Sequence, residues 1–164
     1  MMQSIPIQPD RAIIICILKA CAGVGNIEYG LLMHDMTIRM HLESQKTVGN
    51  SLIDMYAKCG DFESAYIVFN MISERDEVAW GALISGYVQH GHDPDALHLY
   101  GEMNEECILP DKGIFLLALK ACRRFGALLE GKLIYQHMIE VGVDVDVVVV
   151  NAIMEMYSKL NELY

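Results

Sequence analysis

Proline is scarce, four in 164 residues, and so are the alternating polar and apolar stretches that build strands, so a β-rich fold is not expected. No apolar run approaches the roughly 18 residues that a membrane-crossing helix needs. The cysteines number five, an odd count with no C-x-x-C pair, which argues against a disulfide framework and fits reduced thiols inside a cell. There is one tryptophan, no phosphate-cradling glycine loop and no Ser/His/Asp arrangement, so enzyme activity and a small-molecule substrate are not expected. Basic residues are few, 12 against 22 acids for a net charge of −10. Taken whole, that charge disfavours nucleic acid and anionic membranes. What the chain does have is apolar content, 53%, too much for disorder.

It also has a repeat. Residues 1–63 laid over 102–164 share 18 identities, where roughly four are expected by chance. A finer period lies inside this one. Gly25, Gly60, Gly91 and Gly126 are spaced 35, 31 and 35 residues apart, and the next step of 35 reaches Asn161. Glycine and asparagine are the residues that most readily take the left-handed conformation that ends a helix. Five residues after each glycine stands a small residue: Gly30, Ala65, Ala96 and Gly131.

These marks predict stacked helical hairpins, each with a first helix ending at the marker glycine and a second following at once. Asp61 and Asp93 read as caps of second helices, with Pro94 in the first turn. The second helices carry apolar stripes, Ala65, Val68, Phe69 and Ile72, echoed by Ala96, Leu99, Tyr100 and Met103, at the i, i+3, i+4, i+7 spacing of one helix face. Small residues opening each stripe let helices approach closely. The run Val147–Val150 reads as a buried helix start at least as well as a strand. The fold class is therefore all-α, an α-solenoid of stacked antiparallel helical hairpins. It divides into 1–10 (the tail of a preceding repeat), 11–45 (long), 46–76 (short), 77–111 (standard), 112–146 (long) and 147–164 (a truncated short repeat). Both ends cut through repeats, so a segment of a longer array or a truncated gene product is expected. Residues 1–10 show no signal or transit pattern.

The alternating lengths and the wording of the repeats, "NSLIDMYAKCG", "RDEVAWGALISGYVQHG", "DALHLYGEM" and "LKAC" followed by "LLEGKLIYQHMIEVG", resemble the pentatricopeptide repeat proteins of plants. More narrowly they resemble the subclass that mixes long, short and standard repeats. That resemblance implies an RNA-binding solenoid of the mitochondrion or chloroplast that reads single-stranded RNA at about one base per repeat. Its implied role is RNA editing or processing, with editing or processing proteins as further partners. A tetratricopeptide-like protein scaffold is the alternative, though that family keeps a 34-residue step; a degenerate, non-functional fragment is another.

In the family, bases are read by a residue at the start of the first helix and by the last residue of the repeat. Carried over, the short repeat offers Asn50 with Asp76, which resembles a pyrimidine reader preferring uracil. As an isolated residue Asn50 also reads as a helix cap. Gly81 with Asp111 departs from the pattern, since glycine has no side chain to present to a base. Ile15 with Gln45 and Leu116 with Asp146 are expected to pack rather than discriminate. Asn151 opens the last repeat without its closing partner. Tyr56 and Tyr157 read as scaffold.

With first helices taken as 13–24, 48–58, 79–90, 114–124 and 149–159, these segments hold six basic residues and two acids, and the rest holds six and 20. An inner wall that is mildly basic is thus expected inside an acidic shell. Lys58, Arg124 and Lys159 stand at matching places near helix ends and are the candidate RNA-backbone contacts; a lysine on the helix dipole is the plainer reading. His41-Leu42-Glu43 matches half of a zinc deaminase signature, but the P-C-x-x-C half is missing. Cys21, Cys59 and Cys122 share one column and read as small core residues. No metal or cofactor is expected.

Overall fold

The computed structural model describes residues 10–42 and 44–161, the last three of these through their backbone only; the predicted tail 1–10 lies outside it except for Asp10. Nine helices occupy the described residues: α1 Arg11–Val24, α2 Ile27–Arg39, α3 Lys46–Lys58, α4 Phe62–Met71, α5 Glu77–Gln89, α6 Asp93–Glu105, α7 Lys112–Phe125, α8 Leu128–Val141 and α9 Val147–Asn161. There is no strand among them, and no helix is long and apolar enough to cross a membrane.

The odd helices begin two residues earlier than the periodicity predicts. Aspartate is the reason at four of the five; α3 starts after Gln45, which makes no side-chain cap bond. Asp10, Asp76 and Asp111 each place a carboxylate oxygen on the amide three residues on, at 2.8, 3.0 and 2.8 Å, and Asp146 does the same to Val149 at 3.1 Å. Each cap satisfies an amide that the helix itself cannot. At their far ends the first four odd helices close alike. The amides of Asn26, Asp61, His92 and Ala127 reach back to the carbonyls of Cys21, Tyr56, Tyr87 and Cys122 at 2.9–3.0 Å. This closure needs a residue in the left-handed region just before the donor, and the marker glycines supply it at φ 69–83°. His41 takes the same backbone, φ 53°, at the place where Gly142 ends the second helix of the other long repeat. That is a turn role for the histidine of the half-signature; Glu43 lies outside the described residues. Asn161, the last of the marker series, is the final residue of α9.

Each hairpin packs odd on even helix, α1 on α2, α3 on α4, α5 on α6 and α7 on α8. Each odd helix also lies against the next odd helix, whereas among the described residues no even helix packs on another. One layer is therefore tight and the other splayed, which curves the stack with the odd helices inside. Both predicted stripes on α4 and α6 are buried. Tyr56 is buried as expected for scaffold, while Tyr157 is 38% exposed with the Lys132 ammonium over its ring. Of the valine run, helical throughout, Val149 alone is buried.

Small residues set the helix spacing. Gly30 and Gly131 receive the thioethers of Met55 and Met156, which are equivalent residues on the next odd helix. Gly86 on α5 meets Ala57 on α3 so closely that a β-carbon there would lie 2.8 Å from the Ala57 carbonyl carbon. Asp93 departs from its predicted role. His92 is the cap residue of α6, without a side-chain bond, and the buried Asp93 carboxylate turns to the Arg124 guanidinium at the end of α7, accepting from Nε at 2.8 and 3.1 Å. A buried carboxylate gains more from that charged donor fork than from one backbone amide.

Candidate nucleic-acid interface

The inner face of the odd-helix layer carries a groove of about 810 Å³ that spans α1 to α7. Its walls include Ile15 and Lys19 from α1, Lys46, Asn50 and Asp54 from α3, Glu77 and Gly81 from α5, and Leu117 from α7, with the caps Asp76 and Asp111 between helices. The fifth residue of an odd helix points across at the cap of the next, because parallel helices stacked side by side bring one first turn against the neighbouring cap.

In the short repeat this brings the two sequence-predicted readers together. Asn50 Nδ2 donates to Asp76 Oδ1 at 3.3 Å, across 26 residues of chain. Asn50 is the fifth residue of α3, so it caps nothing; Gln45 holds that place. Its other amide atom, Oδ1, is buried without a hydrogen-bond partner among the described residues. An unsatisfied acceptor of this kind costs on the order of 1–3 kcal/mol. Asp76 Oδ1 also holds the Ala79 amide, and Oδ2 is taken by Lys46 Nζ at 2.8 Å. Burial pushes the Asp76 carboxyl up, but the hydrogen bonds from Lys46, Ala79 and Asn50 and the charge on Lys46 outweigh it, so the group sits below the usual carboxylate value. The Lys46 ammonium is raised in turn, first by its bond to Asp76.

The other predicted readers are arranged differently. Gly81 occupies the same helical place as Asn50 and leaves an opening; a β-carbon would touch the Ile114 side chain at 3.4–3.5 Å. Asp111 caps α7 and forms no ion pair among the described residues. Asn151 is exposed and lines a smaller depression with Leu116, Lys120 and Arg123. Ile15 is half-buried and packs on the core, as does Leu116.

Of the candidate backbone contacts, the structure describes the side chains of Arg124 and Lys58, and both are engaged by carboxylates. Arg124 is held by Asp93 and by the Val88 carbonyl, so its charge staples two hairpins together; the groove walls do not include it. Lys58 is tied to Asp54 at 2.9–3.0 Å. The Lys159 side chain lies outside the described residues. Two cations that pattern reading passed over line the inner face instead, Lys19 in the groove and Lys120 in the depression. Both are exposed, and neither forms an ion pair among the described residues. They are the ninth residues of α1 and α7, a shared place the 101-residue period already marks. The inner layer is richer in cations than expected, since with the observed boundaries nine of the 12 basic residues and three of the 22 acids lie on odd helices. The groove itself is not basic, because its acids Asp54, Asp76, Glu77 and Asp111 outnumber Lys19 and Lys46.

A family description, "PPR repeat", matches residues 50–76 and 78–108. A pentatricopeptide repeat-containing protein of Arabidopsis thaliana is 36% identical over 153 residues, 93% of this chain and 26% of its own length. A chloroplastic one from the same plant is 32% identical over 157 residues, 96% of this chain and 19% of its own, and other matches are mitochondrial. The chain thus spans about a quarter or less of the curated relatives it matches. Among solved structures, the pentatricopeptide repeat protein PPR10 in complex with an 18-nt psaJ RNA element superposes with a TM-score of 0.77 at 22% identity, over 91% of this chain and 22% of that one. At that identity the likeness concerns the fold.

Proposed function

Since this chain belongs to the pentatricopeptide repeat family, we propose that it is a segment that binds single-stranded RNA along the inner face of its odd helices. The segment reads one base well, through Asn50 and Asp76 of the repeat 46–76. Uracil is the base that suits them. Once the Asn50 side chain rotates to bring its buried, partnerless Oδ1 into the groove, the imide N–H can donate to it, where the ring nitrogen N3 of cytosine presents a lone pair to a lone pair. The contact of Asn50 with Asp76 at 3.3 Å carries this reading, because it places an amide and an ionised carboxylate side by side on a groove wall.

The repeat 77–111, with Gly81, contributes spacing and little selection, and Asn151 opens a second reader. Lys19 and Lys120 are the phosphate contacts, with Lys58 adding one where its ammonium reaches past Asp54. With so few of them, affinity depends only moderately on salt. The parent protein is of the subclass with mixed repeat lengths and acts on RNA in a mitochondrion or chloroplast, in editing or processing. The test is equilibrium binding to short RNAs that differ only at the base facing residues 46–76. Uracil is expected to bind more tightly than adenine there, and equal affinities would contradict the assignment.

A further inference from the structure

The first residue of an odd helix reaches the last residue of its own repeat in three of the four complete repeats. Lys46 Nζ lies 2.8 Å from Asp76 Oδ2, Lys112 Nζ lies 2.5 Å from Asp146 Oδ2, and Arg11 donates to Gln45 Oε1 at 3.4 Å. The stacking makes this contact available everywhere, since the first turn of one odd helix abuts the cap of the next. In the repeat 77–111 the first residue is Glu77, and the cap it would meet is Asp111.

We propose that Lys46 is a positioning residue of the base-reading site, holding the Asp76 carboxylate in one orientation for the base, and that Glu77 in the same place disables the next repeat independently of Gly81. This rests on the reading of Asn50 and Asp76 given above. The Asp76 carboxylate spends Oδ1 on the Ala79 and Asn50 donors. Its surroundings are acidic: Glu74 and Glu77 act on the Lys46 ammonium, and Asp54 and Asp111 line the same groove, with Lys19 the other cation. Without the Lys46 ammonium, this negative field repels the carbonyl oxygens that flank the uracil imide. Lys46 is about half exposed, 49%, so it is replaceable without disturbing the core. It acts through Asp76, not by touching the base.

The test measures the ratio of affinities for uracil and adenine in the full chain, so that a general loss of phosphate attraction cancels. In Lys46→Met the ratio at the base facing 46–76 is expected to fall about tenfold, as for the loss of one charge-assisted hydrogen bond, with the thermal unfolding midpoint nearly unchanged. Lys46→Arg is expected to restore it. The pH profile adds a readout that a packing role does not move. Asp76 is held below its ordinary value, so the selectivity of the native chain persists down to that lowered range, whereas in Lys46→Met it is lost at a higher pH. In the next repeat, Gly81→Asn alone is expected to create weak uracil preference, and Glu77→Lys/Gly81→Asn a strong one. A Lys46→Met chain that keeps both ratio and pH profile, or a double variant no more selective than Gly81→Asn, overturns the inference while leaving the Asn50 and Asp76 reading intact. A native chain with no base preference overturns both.

Discussion

The repeats 46–76 and 77–111 share a helical-hairpin frame and have opposite groove chemistry. Each opens with an odd helix and ends in an aspartate that caps the next odd helix, Asp76 for α5 and Asp111 for α7. On that shared frame the first presents Lys46, Asn50 and Asp76 as one bonded set. The second presents Glu77, Gly81 and Asp111, with no hydrogen bond between their side chains among the described residues. On the proposed function, the difference separates two jobs of one aspartate. Capping is local and survives in both repeats, because the amide it serves is three residues away. Reading a base requires partners from a different turn of the solenoid, and those can be lost without harm to the fold.

The joints on the two sides of the repeat 77–111 also differ, and the largest effects are expected there. Removing the guanidinium in Arg124→Ala leaves Asp93 buried and unpaired, which should cost about 2–4 kcal/mol in chemical denaturation. The charge-preserving Arg124→Lys should recover only part, since it loses the donor fork. On the other side Gly86 lies on Ala57. Gly86→Ala should cost about 1–3 kcal/mol by overpacking against backbone that has no flexible end to yield, whereas Gly131→Ala, which meets the flexible Met156 side chain, should cost less. If the two glycine variants lose equal stability, spacing between odd helices is not what Gly86 controls.

Within the groove the expected effects are smaller and fall on binding. Asn50→Ala should weaken uracil RNA by about 1–3 kcal/mol, as for other base-edge contacts, with little effect on adenine RNA, and the same change at Gly81 should leave base preference where it was. Gly81→Ala should instead stabilise the fold by about 0.5–1 kcal/mol, because a helical glycine is entropically costly and the site has room for a β-carbon. The smallest effect belongs to the phosphate contacts. Lys19→Ala and Lys120→Ala should each weaken all RNAs alike and reduce the salt slope by about 0.7, the single-strand value per contact. A change in base preference in either variant would show that these lysines do more than hold the backbone.

Much of this architecture was legible along the chain because its signals are local. A left-handed turn depends on the glycine that makes it, an amphipathic stripe on residues three and four apart, and both recur at 35 and 31 residues. The small residues Gly30 and Gly131 announced close helix contact for the same reason. Periodicity places the helix starts two residues late, because an aspartate that ends a repeat also caps the helix that opens the next. Asn50 and Asp76 were paired by resemblance, since 26 intervening residues give no local hint that they touch.

The amino-acid sequence by itself determined the hairpins, their number and phase, and the apolar faces that must be buried, because propensity, capping and periodicity act within a few residues. Only the tertiary structure decided which charged side chains meet across repeats. It sent Arg124 to Asp93 and away from the groove, gave Lys46 to Asp76, and left Lys19 and Lys120 on the inner face. The reason is distance: an ion pair forms within about 4 Å in space, and stacking alone brings residues 30 or more apart in the chain to that range.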